Sequence, residues 1–156
     1  MEQTSINRLN QLHPLIREKA LLAYKEAVNA TPTGVHPFIT QTFRTFAESD
    51  ALYAQGRTKP GSVVTNAPAG SSYHNYALAL DFVNLVNGKE SWTVDKNWMA
   101  VVNIFKKYGF KWGGDWSSLK DYPHLEMSLG YSVKELKALH DAGKVDSEGY
   151  LIIKPK

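Results

Sequence analysis

Apolar residues recur every three or four positions from Ile6 to Ala27, through Leu9, Leu12, Leu15, Ile16, Ala20 and Ala23. That period marks a helix with one buried face. Pro14 interrupts it, because proline lacks a backbone donor and crowds the preceding turn, so the helix over 6–30 is expected to kink or split there. The period then drops to two. In HPFITQTFR (36–44), Phe38, Thr40 and Thr42 alternate with Ile39, Gln41 and Phe43, which predicts a strand. FAESDALYAQG (46–56) predicts a helix stopped by Gly56. Residues 57–75 are rich in Gly, Pro, Ser and Asn and predict a long loop, of a length that in compact domains usually serves function or is disordered. A strand is expected over 77–86. TVDKNWMAVVNIFKKYG (93–109) predicts a helix capped by Thr93 and ended by Gly109. WGGDWSSLKDYP (112–123) reads as a second long loop and HLEMSL (124–129) as a strand. SVKELKALHDAG (132–143) is a helix with Ser132 and Glu135 as a capping box, and YLII (150–153) is a last strand. The class is α+β: a small, mostly antiparallel sheet with helices packed around it.

The alternation inside SSYHNYALALDFV (71–83) carries chemistry. On a strand, Leu78, Leu80 and Phe82 share one face and read as core, while Ala77, Ala79, Asp81 and Val83 share the other. Two alanines beside an aspartate leave space that a helix or a ligand can fill. His74, in the turn before the strand, can fold back over the alanines and meet Asp81. The strand at 124–129 repeats the pattern, with Leu125, Met127 and Leu129 on one face and His124, Glu126 and Ser128 on the other. Pairing the two polar faces brings His124 towards His74 and Asp81. Two imidazoles and one carboxylate make a three-ligand set suited to a catalytic zinc, with the fourth position left open. Asp121 lies three residues before His124, across a Tyr-Pro bend that can hold its carboxylate near the metal without ligation. There it can take a proton from the attacking water and pass it to a leaving amine. Each residue alone has a blander reading: a surface histidine, a turn-capping aspartate, a solvated loop aspartate. Their coincidence on matching faces is what points to a metal site.

Composition narrows the chemistry. The chain has no cysteine, which excludes thiolate metal ligands and disulfides. Its 156 residues, 43% hydrophobic and 21% charged, fit one domain able to bury a core without staples. A net charge of +3 is too mild to argue for nucleic acid, and no basic stripe is interleaved with aromatics. The first residues carry charges and no apolar stretch of signal-peptide length, and no stretch is long enough to span a membrane. The expectation is a cytosolically made, monomeric protein that does not insert into membranes.

At these residues the sequence resembles a known family. SSYHNYALALD is similar to the Ser-x-His-x-x-Gly-x-Ala-x-Asp motif of the zinc peptidases that include D-Ala-D-Ala carboxypeptidases and phage L-alanyl-D-glutamate endopeptidases, and DYPHLE resembles the second motif of that family. QTFRTFAESDALYAQGRT (41–58), PGSVVTNAPAGSSYHNYALALDF (60–82) and KYGFKWGGDWSSLKDYPHLEM (107–127) extend the likeness over most of residues 38–128, and LYAQGRT and WGGDW resemble the phage endolysin branch. The resemblance implies His74, Asp81 and His124 as ligands of one zinc ion and Asp121 as general base. It implies that Arg44 lies near the active site and holds a substrate carboxylate or carbonyl oxygen. Ser72 matches the motif serine, as a hydrogen bonder in the site wall. Ala77 departs from the pattern, standing where the family usually has glycine, which matters only if that position needs φ > 0.

The implied function is an endopeptidase of peptidoglycan stem peptides, cutting between L-Ala and D-Glu, in a phage lysis enzyme. Such an enzyme would wait in the host cytoplasm and be released to the wall and periplasm. Residues 1–156 would form its catalytic domain, with no separate cell-wall-binding domain. Two alternatives stay open: a D-Ala-D-Ala carboxypeptidase or dipeptidase, and a non-catalytic wall-binding module on the same scaffold. Trp112, Trp116 and Tyr122 flank the second motif and either line a cleft or join the core. Gly113 and Gly114 are expected to let their loop approach the site closely. His13, His36 and His140 have no partner pattern and read as surface or packing residues.

Overall fold

Pro14 divides the first helical segment in two. In a computed structural model describing residues 2–156, α1 spans Gln3–Leu9 and α2 spans Pro14–Ala30, with Pro14 at the first turn of α2, where its missing N–H costs nothing. His13 caps α2: its Nδ1 accepts the Leu15 N–H, and its Nε2–H donates to the Leu151 carbonyl at 2.8 Å. The remaining elements are β1 (Val35–Gln41), α3 (Phe46–Ala54), β2 (Ala79–Val86), β3 (Lys89–Ser91), α4 (Lys96–Lys107), β4 (Lys111–Trp112), β5 (His124–Glu126) and α5 (Val133–Asp141). Short 3₁₀ turns cover Tyr73–Tyr76 and Gly113–Asp115.

The sheet is antiparallel in every pairing, in the order β1-β2-β5-β4, with β3 paired to the far end of β2. Its core face is the predicted one. Leu80 pairs with Leu125, both fully buried, and Phe82 lies 4.4 Å, centroid to centroid, from the Trp98 ring of α4. Leu9, Leu12, Ile16, Ala20 and Tyr24 of the N-terminal helices join the same core, with Val101, Val102 and Phe105 of α4. Each large side chain removed from water here contributes about 1.5–3 kcal/mol. The helices therefore fasten one face of the sheet and leave Gln41, Asp81 and His124, neighbours across three strands, on the opposite face.

Several boundaries differ from the sequence reading. The strand expected from 77 begins at Ala79, because Ala77 adopts φ +58° and closes the 3₁₀ turn before it. Ala77 and Ala79 are fully buried, so the space expected over them is filled. The strand expected over 124–129 ends at Glu126, since Leu129 and Gly130 take positive φ and turn the chain towards α5. The strand expected over 36–44 stops at Gln41. Asp95 rather than Thr93 caps α4: its carboxylate accepts the N–H groups of Asn97 and Trp98. The helix over 46–56 runs only to Ala54, and Thr45 and Glu48 form a capping box at its start. No strand forms at 150–153; Leu151 makes an isolated bridge to Val145. β3 was not predicted, although Asn87-Gly88, both at positive φ, is a strong hairpin signal. The Ser132–Glu135 capping box is present as read.

Candidate metal centre and active site

His74 arrives from the 3₁₀ turn, Asp81 from β2 and His124 from β5. Asp81 and His124 are direct register partners, so their side chains leave the sheet on the same side. Asp81 Oδ1 lies 3.3 Å from His74 Nε2 and 3.4 Å from His124 Nδ1. One ligand atom from each of the three residues lies within 4.8 Å of the others, and this is the grouping of that kind among the described residues. Both imidazoles are almost fully buried and Asp81 is partly open to the cleft.

The outer nitrogens of both rings are already engaged. His74 Nδ1–H donates to the Thr42 carbonyl at 2.7 Å, which leaves Nε2 free towards Asp81. The Arg44 N–H in turn bonds the His74 carbonyl at 3.0 Å, so the chain after β1 grips His74 from both sides. Ser72 caps the turn by accepting the His74 N–H, and this is how the motif serine contributes. His124 Nε2 lies 2.8 Å from Glu126 Oε1, which points Nδ1 into the site. Glu126 shares the polar face of its strand with His124, a placement visible in the alternation, yet its role as the carboxylate behind the ring was missed. Histidine ligands backed by carbonyl or carboxylate acceptors are oriented for metal binding. The donor set of two nitrogens and one carboxylate oxygen therefore fits a zinc ion.

Electrostatics follow from crowding. Burial pushes the Asp81 carboxyl up, but the charge of His74 and hydrogen bonds from both histidines outweigh it and hold Asp81 well below the usual carboxylate range. Burial alone would lower His124; its bonds to Asp81 and Glu126 reverse that and raise it to about 9. A metal cation entering the site takes the place of that positive charge. Asp121 shifts the other way. Burial and then the neighbouring Asp81 charge raise its carboxyl, against the pull of His124, His74 and Arg44.

Asp121 stands beside the triad and outside it, with Oδ2 3.9 Å from His124 Nδ1. Its backbone is fixed: its N–H bonds the Gly113 carbonyl and its carbonyl accepts the His124 N–H, closing a turn over Tyr122-Pro123. Gly113 allows this approach, because a Cβ there would sit 2.2 Å from the Asp121 carbonyl oxygen. Arg44 is half-buried; Nη2 donates to Gln41 Oε1 at 2.6 Å, while the buried Nε has no partner within the protein. Burial lowers its pKa, offset in part by Asp81, Glu48 and Asp121. The sequence reading did not single out Gln41, which a bulge between Ile39 and Gln41 sets opposite Asp81.

These residues line one cleft of about 1030 Å³. Arg44, Ser72, His74, Asp81, Asp121, His124 and Glu126 all face it, and the loop segments 64–67 and 119–120 form parts of its walls. The aromatic residues divide. Trp112 is core, whereas Trp116 lines the cleft with its ring 5.2 Å from that of His124. Tyr122 is exposed. His13, His36 and His140 are packing residues: His36 meets the Tyr24 hydroxyl, and His140 stacks on Phe46.

Comparison with known proteins agrees with this geometry. Residues 65–127 match the family model described as D-alanyl-D-alanine carboxypeptidase. The peptidoglycan L-alanyl-D-glutamate endopeptidase CwlK of Bacillus subtilis (strain 168) is 45% identical over 127 residues, which cover 76% of this chain and 74% of that protein. An L-alanyl-D-glutamate peptidase of a Listeria phage is 33% identical over 102 residues, 63% of this chain and 33% of that protein. Among solved structures, the L-Ala D-Glu endopeptidase ChiX of Serratia marcescens superposes with a TM-score of 0.59 at 21% identity, covering 80% of this chain and 86% of that one. The L,D-carboxypeptidase DacB of Streptococcus pneumoniae gives 0.53 at 19% identity, over 91% and 80%. These two likenesses concern the fold. The family match and the identity to CwlK together place the chain: it is a metallopeptidase belonging to the D-alanyl-D-alanine carboxypeptidase family.

Proposed function

We propose that this chain is a zinc-dependent endopeptidase that hydrolyses the L-alanyl-D-glutamate bond of peptidoglycan stem peptides. The observation that carries the reading is the in-register pairing of Asp81 with His124 beneath a cleft that also holds His74 and Asp121. The choice of bond is supported by the 45% identity to CwlK.

His74, Asp81 and His124 would hold the ion. When bound, zinc supplies a Lewis acid that polarises a carbonyl and makes water a stronger acid. The protein's own residues do the rest. Asp121, held beside the ligands and raised by burial, accepts the proton of the attacking water and returns it to the leaving D-Glu nitrogen. Arg44, with an unpartnered buried Nε at the cleft wall, holds an anionic or carbonyl oxygen of the substrate. Glu126 and the Thr42 carbonyl keep both imidazoles in their ligating orientation. Trp116, beside His124 in the cleft wall, gives that side of the site an apolar surface for the substrate.

The lytic phage role is supported by the likeness to the phage peptidase and by the stretches LYAQGRT and WGGDW. The higher identity to a bacterial enzyme favours wall remodelling as the second reading. In both, the substrate places the working enzyme at the cell wall. The test is mass spectrometry of products from purified peptidoglycan or L-Ala-γ-D-Glu-L-Lys peptides. New L-Ala carboxyl and D-Glu amino ends are expected. Release of free D-Ala instead would make the enzyme a carboxypeptidase, and no cleavage of any stem peptide would leave a wall-binding module.

A further inference from the structure

The turn Asp121-Tyr122-Pro123-His124 carries both the general base and a metal ligand, yet its sequence does not hold it. Proline in the third position cannot take the positive φ of a type II turn and disfavours a type I turn. The turn's own hydrogen bond, from the His124 N–H to the Asp121 carbonyl, is 3.2 Å long. Of the two residues between them, Tyr122 offers the first carbonyl. Two indoles from separate elements converge on it: Trp112 of β4 donates Nε1–H at 2.7 Å and Trp98 of α4 donates Nε1–H at 3.3 Å. A carbonyl oxygen has two lone pairs and can accept both donors. Both rings are in the core, Trp98 fully buried and packed on Phe82, Trp112 at 7% exposure. Phe82 also donates its N–H to the Pro123 carbonyl at 3.1 Å, so the next carbonyl of the turn is tied to β2.

We propose that Trp98 and Trp112 are positioning residues: through the Tyr122 carbonyl their indole N–H groups set where the Asp121 carboxylate stands relative to His124. The tryptophan rings fill the core as apolar mass, and their polar edges reach out of it to the Tyr122 carbonyl at the middle of the turn. The sheet alone does not do this: its last hydrogen bond towards the turn, from the Phe82 N–H to the Pro123 carbonyl, stops one residue short of Tyr122. This inference rests on the roles proposed above for Asp121 and His124.

The test uses the full chain with Trp112→Phe, Trp98→Phe and the double change, each keeping an aromatic ring without the donor. In the metal-free protein, hydrogen exchange of the His124 amide should rise about tenfold or more in the variants while amides in α2 and α5 keep their protection. The Trp98 indole signal should move in Trp112→Phe, since the two donors share one acceptor. With zinc, kcat should fall roughly 10–100-fold, KM should stay within about twofold, and one zinc per chain should be retained. Unchanged His124 exchange with unchanged kcat would overturn the proposal. So would a loss of protection spread evenly over α2 and α5, which would make the tryptophans core residues only. The exchange measurement needs neither metal nor substrate. If the wild-type chain proves inactive, the reading of the site fails while the role of the indoles is still decided.

Discussion

Asp81 and His124 face each other as register partners on neighbouring antiparallel strands, with Oδ1 and Nδ1 3.4 Å apart. Asp121, three residues earlier on the same chain, reaches only to 3.9 Å from that Nδ1. Two carboxylates thus approach the same imidazole nitrogen from different elements, and their proposed roles separate on that geometry. Asp81→Ala removes a proposed ligand and should abolish stoichiometric zinc binding. Asp121→Ala should retain one zinc per chain and lose turnover by roughly 10²–10⁴-fold with little change in KM. Metal analysis of both variants beside their kinetics checks this; zinc lost from Asp121→Ala and kept by Asp81→Ala would reverse the assignment.

Zinc removal should soften the protein without unfolding it. The core formed by α1, α2, α4 and the sheet does not depend on the site. An ion at 100 times its Kd adds about 2.7 kcal/mol to stability. For a chain of this size that is roughly 5–10 °C in Tm. Calorimetry with and without chelator measures the difference, and a chain unfolded at room temperature after chelation would contradict the account of the core.

Gly113→Ala should act on the base at a distance. The new Cβ would fall 2.2 Å from the Asp121 carbonyl oxygen, so that backbone must move. Turnover should drop by about tenfold or more while zinc stays bound, since misplacement of about 1 Å is enough for such losses. Gly143→Ala is the control: at φ +73° with nothing within 4 Å of the new Cβ it strains the backbone away from the site, so it should cost some stability and leave kcat unchanged.

Ala77→Gly should be close to neutral for stability. Left-handed backbone costs alanine about 1–2 kcal/mol. Against that relief stand the entropy of a glycine in the unfolded chain, about 0.4–1 kcal/mol, and the loss of a buried methyl, about 0.8 kcal/mol. Ala77→Val should be clearly destabilising, because a β-branched side chain at φ +58° in a fully buried position meets both strain and crowding. Denaturant midpoints of the two variants decide the matter.

His13 makes stability depend on pH. Its Nδ1 accepts one hydrogen bond and its Nε2–H donates another, so the folded state needs the neutral ring. Burial lowers its pKa below 6.5, outweighing the pull of the Leu151 carbonyl. The unfolded chain therefore takes up the proton first as pH falls. The contribution is complete above about pH 6.5 and is lost progressively below it. Tm measured on metal-free protein between pH 7.5 and 5.5 should fall more in wild type than in His13→Gln; parallel curves would show that the ring does not titrate with folding.

Much of the site was legible in the sequence because β alternation is strict. Once Leu80 and Phe82 are placed in the core, Asp81 must face the other way, and the same logic fixes His124 against Leu125. Helix α5 and its cap were equally legible, since the period and the capping box are local. Tertiary structure decided what no local pattern encodes. The bulge that sets Gln41 opposite Asp81, the Thr42 carbonyl that orients His74 across 32 residues, and the left-handed turn at Ala77 all depend on where other elements pack. So does the position of Asp121, which rests on Gly113 and on two tryptophans from separate elements. The periodicity of side chains is a property of the backbone and survives without neighbours. Hydrogen bonds between segments far apart in the chain exist only after the core has brought those segments together.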